Sequence, residues 1–213
     1  MTRMETVAVP TKCNTCEALA QTPLVCQDCH QLLAHVQGAD YFELFGLPRG
    51  YDIDARDLGS RYLSISRNIH PDKFAIGDPS MQAFALRASA AVNRAYEVLG
   101  DPRHRAEYLL ETAGGQSAAQ DKRVPTDFLS RVMLLREEIE DAKAGGDTAT
   151  LDTLQGQVSR ERGETEARIA KLCAALPGGS PDTRDELRQQ LNALKYLDNL
   201  LMQFAPTPAG ETR

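Results

Sequence analysis

The chain of 213 residues contains no tryptophan, and aromatic residues make up only 6% of it. A core built from this sequence must therefore be aliphatic and rich in alanine. Basic charge is also short, with 24 Lys and Arg against 30 Asp and Glu and a formal net charge of −6. That excludes a nucleic-acid binder driven by phosphate neutralisation, which needs a concentrated basic surface. No apolar run approaches the ~20 residues that a helix needs to cross a bilayer, so no membrane contact of that kind is expected. The opening MTRMETVAVPTK is too short and too polar for a secretory signal, and it lacks the long Arg/Ser-rich character of a transit peptide. A cytosolic protein is expected. The rest of the composition, 42% hydrophobic and 25% charged, suits a soluble globular chain of one domain or two small ones.

Cysteine is present in an odd number, five, and four of the five fall within the first thirty residues. This is a poor disulfide framework for a cytosolic protein and a good metal pattern. The spacing is Cys13-x2-Cys16-x9-Cys26-x2-Cys29. Each pair forms a tight knuckle with two thiolates on one side of a metal, and two knuckles complete a tetrahedron. One structural zinc per chain is the expected occupant, with iron and paired redox disulfides as the alternatives. A closed four-thiolate set has no open coordination position, so the metal is not expected to catalyse. His30 beside Cys29 is open to three readings: a replacement ligand, an outer contact, or a solvated side chain. A segment of about twenty-seven residues cannot build an adequate core alone, so ligation must supply its folding energy. Cys173 stands alone in a helical pattern and reads as a small buried hydrophobe.

Beyond the cysteines the pattern is helical, and no period-2 run of β-branched residues appears from 39 onward. Leu58, Tyr62, Ile65 and Ile69 form one helix face, with Asp54 as N-cap and Asp57 as the third-position acid. Pro71 must end that helix near Ile69 or His70. Asp78-Pro79 starts the next, whose apolar face is Met81, Phe84/Ala85, Ala88, Val92, Ala95 and Leu99. Asp101-Pro102 starts a short helix with Tyr108 and Leu109. The third segment holds three longer helices. Phe128, Val132, Leu135 and Ile139 mark the first, ended by Gly145-Gly146, and Asp147 can cap the second. That second helix, from about 148 to 176, is weakly specified because of Gly156 and Gly163. Pro177-Gly178-Gly179 breaks it, and Ser180-Pro181 starts the last, with Leu187, Leu191, Leu194, Leu197 and Leu201 inward. Three antiparallel helices on short connections read as a small bundle. The expected domains are 10–37, 39–114 and 124–205, followed by a tail at 206–213.

The stretch NIHPDKF, Asn68 to Phe74, lies at the tip of the first helical hairpin. His70 and Asp72 invite comparison with a general base and its orienting carboxylate. Nothing nearby supplies a nucleophile, an oxyanion hole or burial. One His and one Asp without further ligands bind metal weakly. A turn stiffened by Pro71 and a surface read by another protein remain open.

The hairpin, its HPD loop and the following NRAYEVLGDPRHRAEYLL resemble the J-domain of DnaJ-type co-chaperones over residues 40 to about 112. DYFELFGLP, HPDKF and RAEYLL, followed by FLSRVMLLREEIEDA and LRQQLNALKYLDNLL, resemble the HscB family, the J-type co-chaperones of iron–sulfur cluster assembly. An N-terminal tetracysteine module is similar to that of its eukaryotic members. The resemblance implies an all-α, L-shaped, non-enzymatic protein: a J-domain hairpin plus a C-terminal three-helix bundle, preceded by a small zinc-knuckle module with four cysteine ligands. By the same resemblance His70, Pro71, Asp72 and Lys73, with Arg56, Arg61 and Arg67 on the preceding helix, dock on a DnaK/HscA-type ATPase chaperone. Leu129, Met133 and Tyr196 match positions that contact an IscU-like scaffold. Periodicity adds to this, because Leu129, Met133, Tyr196 and Leu200 lie off the inward stripes. A thin bundle burying a wide face is the other reading of that pattern. The alternative function is a general J-domain adaptor for an unrelated client. Bacterial cytoplasm is the expected location, with the mitochondrial matrix as the alternative, and the oligomeric state stays open.

Overall fold

Proline and acid punctuation in the sequence sets where the helices begin. In the computed structural model, residues 11–20, 22–26, 28–29, 31–33, 39–75 and 78–204 are described. His30, the opening segment and the expected tail lie outside those residues. The chain divides into two compact units, Met1–Arg105 and Ala106–Arg213.

In the first unit, β1 (Thr11–Lys12) pairs antiparallel with β2 (Leu19–Ala20), with Thr11 opposite Ala20 and Lys12 opposite Leu19. These are the only two strands among the described residues, and both lie in the cysteine segment. The helices follow. α1 (Tyr41–Phe45) is closed by a capping box, in which Asp40 accepts from the Glu43 amide and Glu43 from the Asp40 amide. Periodicity does not single out so short a helix; the Asp40-x-x-Glu43 spacing is its signal. α2 (Ala55–Ile69) begins at Asp54, whose carboxylate accepts from the amides of Arg56 and Asp57. α3 (Pro79–Gly100) begins at Asp78, which accepts from the Ser80 amide. Tyr62 of α2 stacks on Tyr96 of α3 with ring centroids 4.2 Å apart, and its hydroxyl donates to Asn93. Ala85, Ala88, Val92, Ala95 and Leu99 are all buried against α1 and α2. The small residues let the backbones approach, as the alanine-rich face implies.

The division between the units falls inside α4 (Pro102–Thr112). In the second unit, α5 (Phe128–Gly145), α6 (Thr148–Ala175) and α7 (Pro181–Met202) form the expected bundle. Gly146, at φ 66°, ends α5 in the left-handed conformation, and Asp147 caps α6 by accepting from the Thr150 amide. Phe128, Val132, Leu135 and Ile139 are buried with Leu154, Val158 and Leu197. Cys173 is buried, as expected. α7 packs against both α5 and α6 and therefore buries a wider face than one stripe. Leu200 is fully buried, while Leu201, expected inward, is only partly so.

α6 runs unbroken through its two glycines. The buried line Leu154, Val158, Thr165, Ile169 and Leu172 supplies what propensity withholds. A Cβ on Gly163 meets nothing within 4 Å, and one on Gly156 meets only the Arg160 Nη1 tip at 3.7 Å. Gly156→Ala and Gly163→Ala are each expected to stabilise the bundle by about 1 kcal/mol. Urea unfolding followed by far-UV circular dichroism measures the shift, and a destabilised variant contradicts the expectation.

Candidate functional site

The cysteine segment folds around its sulfurs. Cys13 N–H donates to the Ala18 carbonyl and Glu17 N–H to the Cys13 carbonyl, which closes the first knuckle. Cys26 N–H donates to the Gln31 carbonyl and Leu33 N–H to the Leu24 carbonyl, which closes the second. Cys13, Ala20, Cys26 and Leu33 make a small buried cluster. The four Sγ atoms all lie within 4.8 Å of one another, with Cys13 to Cys29 at 3.6 Å and Cys16 to Cys26 at 3.5 Å. These separations are far beyond the ~2.05 Å of a disulfide. They approach the edge of about 3.8 Å that follows from a tetrahedron of sulfurs at ~2.3 Å from a metal. The donor set can therefore hold a metal ion.

The thiols themselves argue the same way. The Cys16 and Thr15 amides donate to Cys13 Sγ and pull that thiol down to about 6. At Cys16 the Ala18 amide also pulls downward, but the neighbouring sulfurs of Cys26 and Cys29 outweigh it and push the thiol up to about 12. Four thiolates at this spacing need a cation between them.

The loop between α2 and α3 is built by Pro71. It holds His70 at ψ 127°, out of the helical region, and ends α2 at Ile69. Pro71–Phe74 then make a single 3-10 turn. His70 Nδ1 accepts from the Asp72 amide at 3.3 Å and lies 3.5 Å from Asp72 Oδ2. This leaves Nε2 as the ring's remaining polar atom. Both side chains are open to water, 59% for His70 and 88% for Asp72, and Lys73 is exposed beside them. Ser89 of α3 donates to the Ile69 carbonyl and ties down the base of the loop.

The three arginines of α2 divide. Arg56 and Arg67 are exposed. Arg61 is not a spare cation: its Nε donates to both Asp57 oxygens at 3.0 and 2.9 Å. Its Nη1 donates to the Phe45 and Gly46 carbonyls at 3.0 and 3.1 Å. It closes the end of α1, a structural duty that helical spacing alone does not reveal.

In the second unit Leu129 and Met133 are exposed at 48% and 64%, and Tyr196 at 39%. Tyr196 meets Phe128 edge-on with centroids 6.1 Å apart, which places these residues along the seam where α5 meets α7. Leu200 does not belong to this surface. Its place off the stripe predicts an outward side chain, but the packing of α5 against α7 buries it.

Residues 124–203 match the family model described as the HSCB C-terminal oligomerisation domain. Chaperone HscB from Vibrio cholerae is 30% identical, with a TM-score of 0.63 over 78% of this chain and 95% of that one. The chain belongs to the HscB family. Human co-chaperone protein HscB, 23% identical, shares the fold with a TM-score of 0.69 over 91% of this chain and 96% of the human one.

This HscB-family chain also carries polar residues that sequence reasoning missed. Arg188 is 1% exposed and grips Glu107 through both terminal nitrogens, with Nη2 to Oε1 at 2.8 Å. Asn192 Nδ2 donates to the Asp121 and Arg123 carbonyls at 3.0 and 2.7 Å. The Arg123 side chain binds the buried Asp121 carboxylate and holds it below the usual carboxylate range. Asn192 and Arg123, which also reaches Asp185, fasten the strap before α5 onto α7, while Arg188 ties α4 to the same helix. Their sequence signal is faint, because Arg188 follows Leu187 in a helix whose stripe is otherwise leucine.

Proposed function

We propose that this chain is a non-enzymatic co-chaperone of iron–sulfur cluster assembly, located in a bacterial cytoplasm. It binds an IscU-like scaffold and stimulates ATP hydrolysis by a DnaK/HscA-type chaperone. The observation that carries the reading is the His70-Pro71-Asp72 tip: pre-shaped by a 3-10 turn, with the His70 and Asp72 side chains open to water and no nucleophile set beside them among the described residues. Pro71 reduces the entropy lost when a partner orders the loop. The Asp72 carboxylate offers a charge-assisted bond to a chaperone arginine. Lys73, Arg56 and Arg67 add positive charge for an acidic chaperone surface, and Arg61 contributes by holding the arm together. Leu129, Met133 and Tyr196 offer the apolar contact for the scaffold. Holding scaffold and chaperone on one chain raises their effective concentration for each other. In the tetracysteine site Cys13, Cys16, Cys26 and Cys29 would hold one structural zinc, supported by the all-thiolate, closed donor set.

Two measurements test this. His70→Gln is expected to keep helical content and melting behaviour while losing stimulation of the chaperone ATPase, and full stimulation by that variant overturns the loop assignment. The triple change Leu129→Ala/Met133→Ala/Tyr196→Ala is expected to weaken scaffold binding at least tenfold, about 1.4 kcal/mol, with the loop intact. Unchanged binding in a pull-down or calorimetric titration would favour a general J-domain adaptor with another client.

A further inference from the structure

We propose that the tetracysteine module has a second folded form, free of metal, in which peroxide oxidation joins Cys13 to Cys29 and Cys16 to Cys26. This rests on the reading of the four sulfurs as a metal site. Two sulfur pairs that run between the knuckles lie at 3.6 and 3.5 Å, inside the 4.8 Å that bounds all four sulfurs. Closing each to bonding distance asks for about 1.5 Å of movement, within reach of side-chain rotation. The ladder bonds Cys13 N–H to Ala18, Cys26 N–H to Gln31 and Leu33 N–H to Leu24 then remain in place. The direction of the links matters. A metal joins the two knuckles, and cross-knuckle disulfides join them too, whereas bonds within each pair would leave the knuckles unconnected.

Access sets the order of events. Cys16 is exposed and its neighbour Cys26 is buried; Cys29 is partly exposed and Cys13 is buried. Cys16, which the neighbouring sulfurs would keep protonated on its own, is a thiolate while it ligates the ion; it attacks one peroxide oxygen, the O–O bond breaks, and a sulfenic acid forms with loss of hydroxide. The Cys26 thiolate then displaces the sulfenic oxygen, which leaves as water once protonated. Cys29 and Cys13 repeat the sequence. Four thiolates give up four electrons, two peroxide molecules accept them with four protons, and four waters result. The divalent ion, left without thiolate ligands, departs. Cys173, buried in the other unit, keeps its thiol.

The test uses the full-length protein as purified. Its metal content is measured first, then hydrogen peroxide is added while released zinc is followed with a colorimetric chelator. The oxidised chain is cleaved after Glu17 and before Asp28 without reductant, and the joined fragments are sequenced by mass spectrometry. The expected result is one zinc released per chain with loss of four of its five thiols. The fragments should be linked through Cys16–Cys26 and Cys13–Cys29, and reductant plus zinc should restore the starting state. Amide NMR signals of residues 11–33 should stay dispersed in the oxidised form. Pairing within each knuckle, links between chains, sulfinic acids, or collapse of those signals overturns the proposal. A chain that holds no metal before peroxide fails the metal reading alone, because the pairing is still read from the same digest.

Discussion

Glu107→Ala is expected to destabilise the second unit by about 3 kcal/mol and to lower its melting temperature by roughly 10 °C. The cause is the charge left behind rather than the two hydrogen bonds removed. Arg188 is 1% exposed, and its two terminal nitrogens are satisfied by Glu107 alone among the described residues. Its Nε has no hydrogen-bond partner even with Glu107 in place. Removing the carboxylate therefore leaves both terminal nitrogens of a guanidinium that cannot lose a proton without that partner, while the nearby Asp121 carboxylate is already engaged by Arg123. The partial exposure of Glu107 admits some water and puts the cost at the low end of what breaking a buried pair brings. The double variant Glu107→Leu/Arg188→Met should recover most of the loss, since it removes both charges and keeps the volume. Urea unfolding followed at 222 nm suits this chain, which has no tryptophan to report by fluorescence. A Glu107→Ala protein as stable as the parent, or a double variant no better than the single one, contradicts the account.

Stripping the metal site is expected to have the larger and more local effect. Cys26→Ser removes a sulfur from a residue that is 1% exposed and breaks a four-sulfur set able to hold a metal ion. Structural zinc contributes on the order of 10 kcal/mol to modules of this size, more than their packing can replace. Here that packing is a cluster of four buried residues, two of them the cysteines Cys13 and Cys26. Residues 11–33 should lose their dispersed amide signals and become sensitive to protease after Cys26→Ser or prolonged chelation. The helical signal at 222 nm should scarcely change, because the helices among the described residues lie between Tyr41 and Met202. Melting of the helices along with the module would refute the view that the metal supports this segment alone.

These expectations differ in how much of their basis lay in the sequence. The clustering of the four cysteines was legible because thiolate chemistry ties residue type to spacing, and two CxxC pairs leave few other arrangements. Helix boundaries were legible where a side chain does a backbone's work, as at Asp54, Asp78, Asp147 and Ser180. Which flank of a helix meets a second neighbour was not. Leu200 and Leu129 look alike in periodicity, yet α7 lies between two helices and buries the first, while α5 leaves the second exposed. The partners of Arg61 and Arg188 were hidden for a related reason. A cation in a helical pattern is solvated by default, and only the fold shows that Arg61 reaches carbonyls sixteen and fifteen residues away, or that Arg188 meets a carboxylate eighty-one residues distant.

The reach of Arg61 bears on how the first unit opens. α1 has five residues, too few to hold itself together in water. Its final carbonyls are held by a guanidinium that is itself anchored one helical turn into α2. In terms of hydrogen exchange, α1 is expected to have no independent protection to lose: the Gly46 and Leu47 amides, bonded to Glu43 and Phe42, should exchange when α1 comes away from α2 and α3.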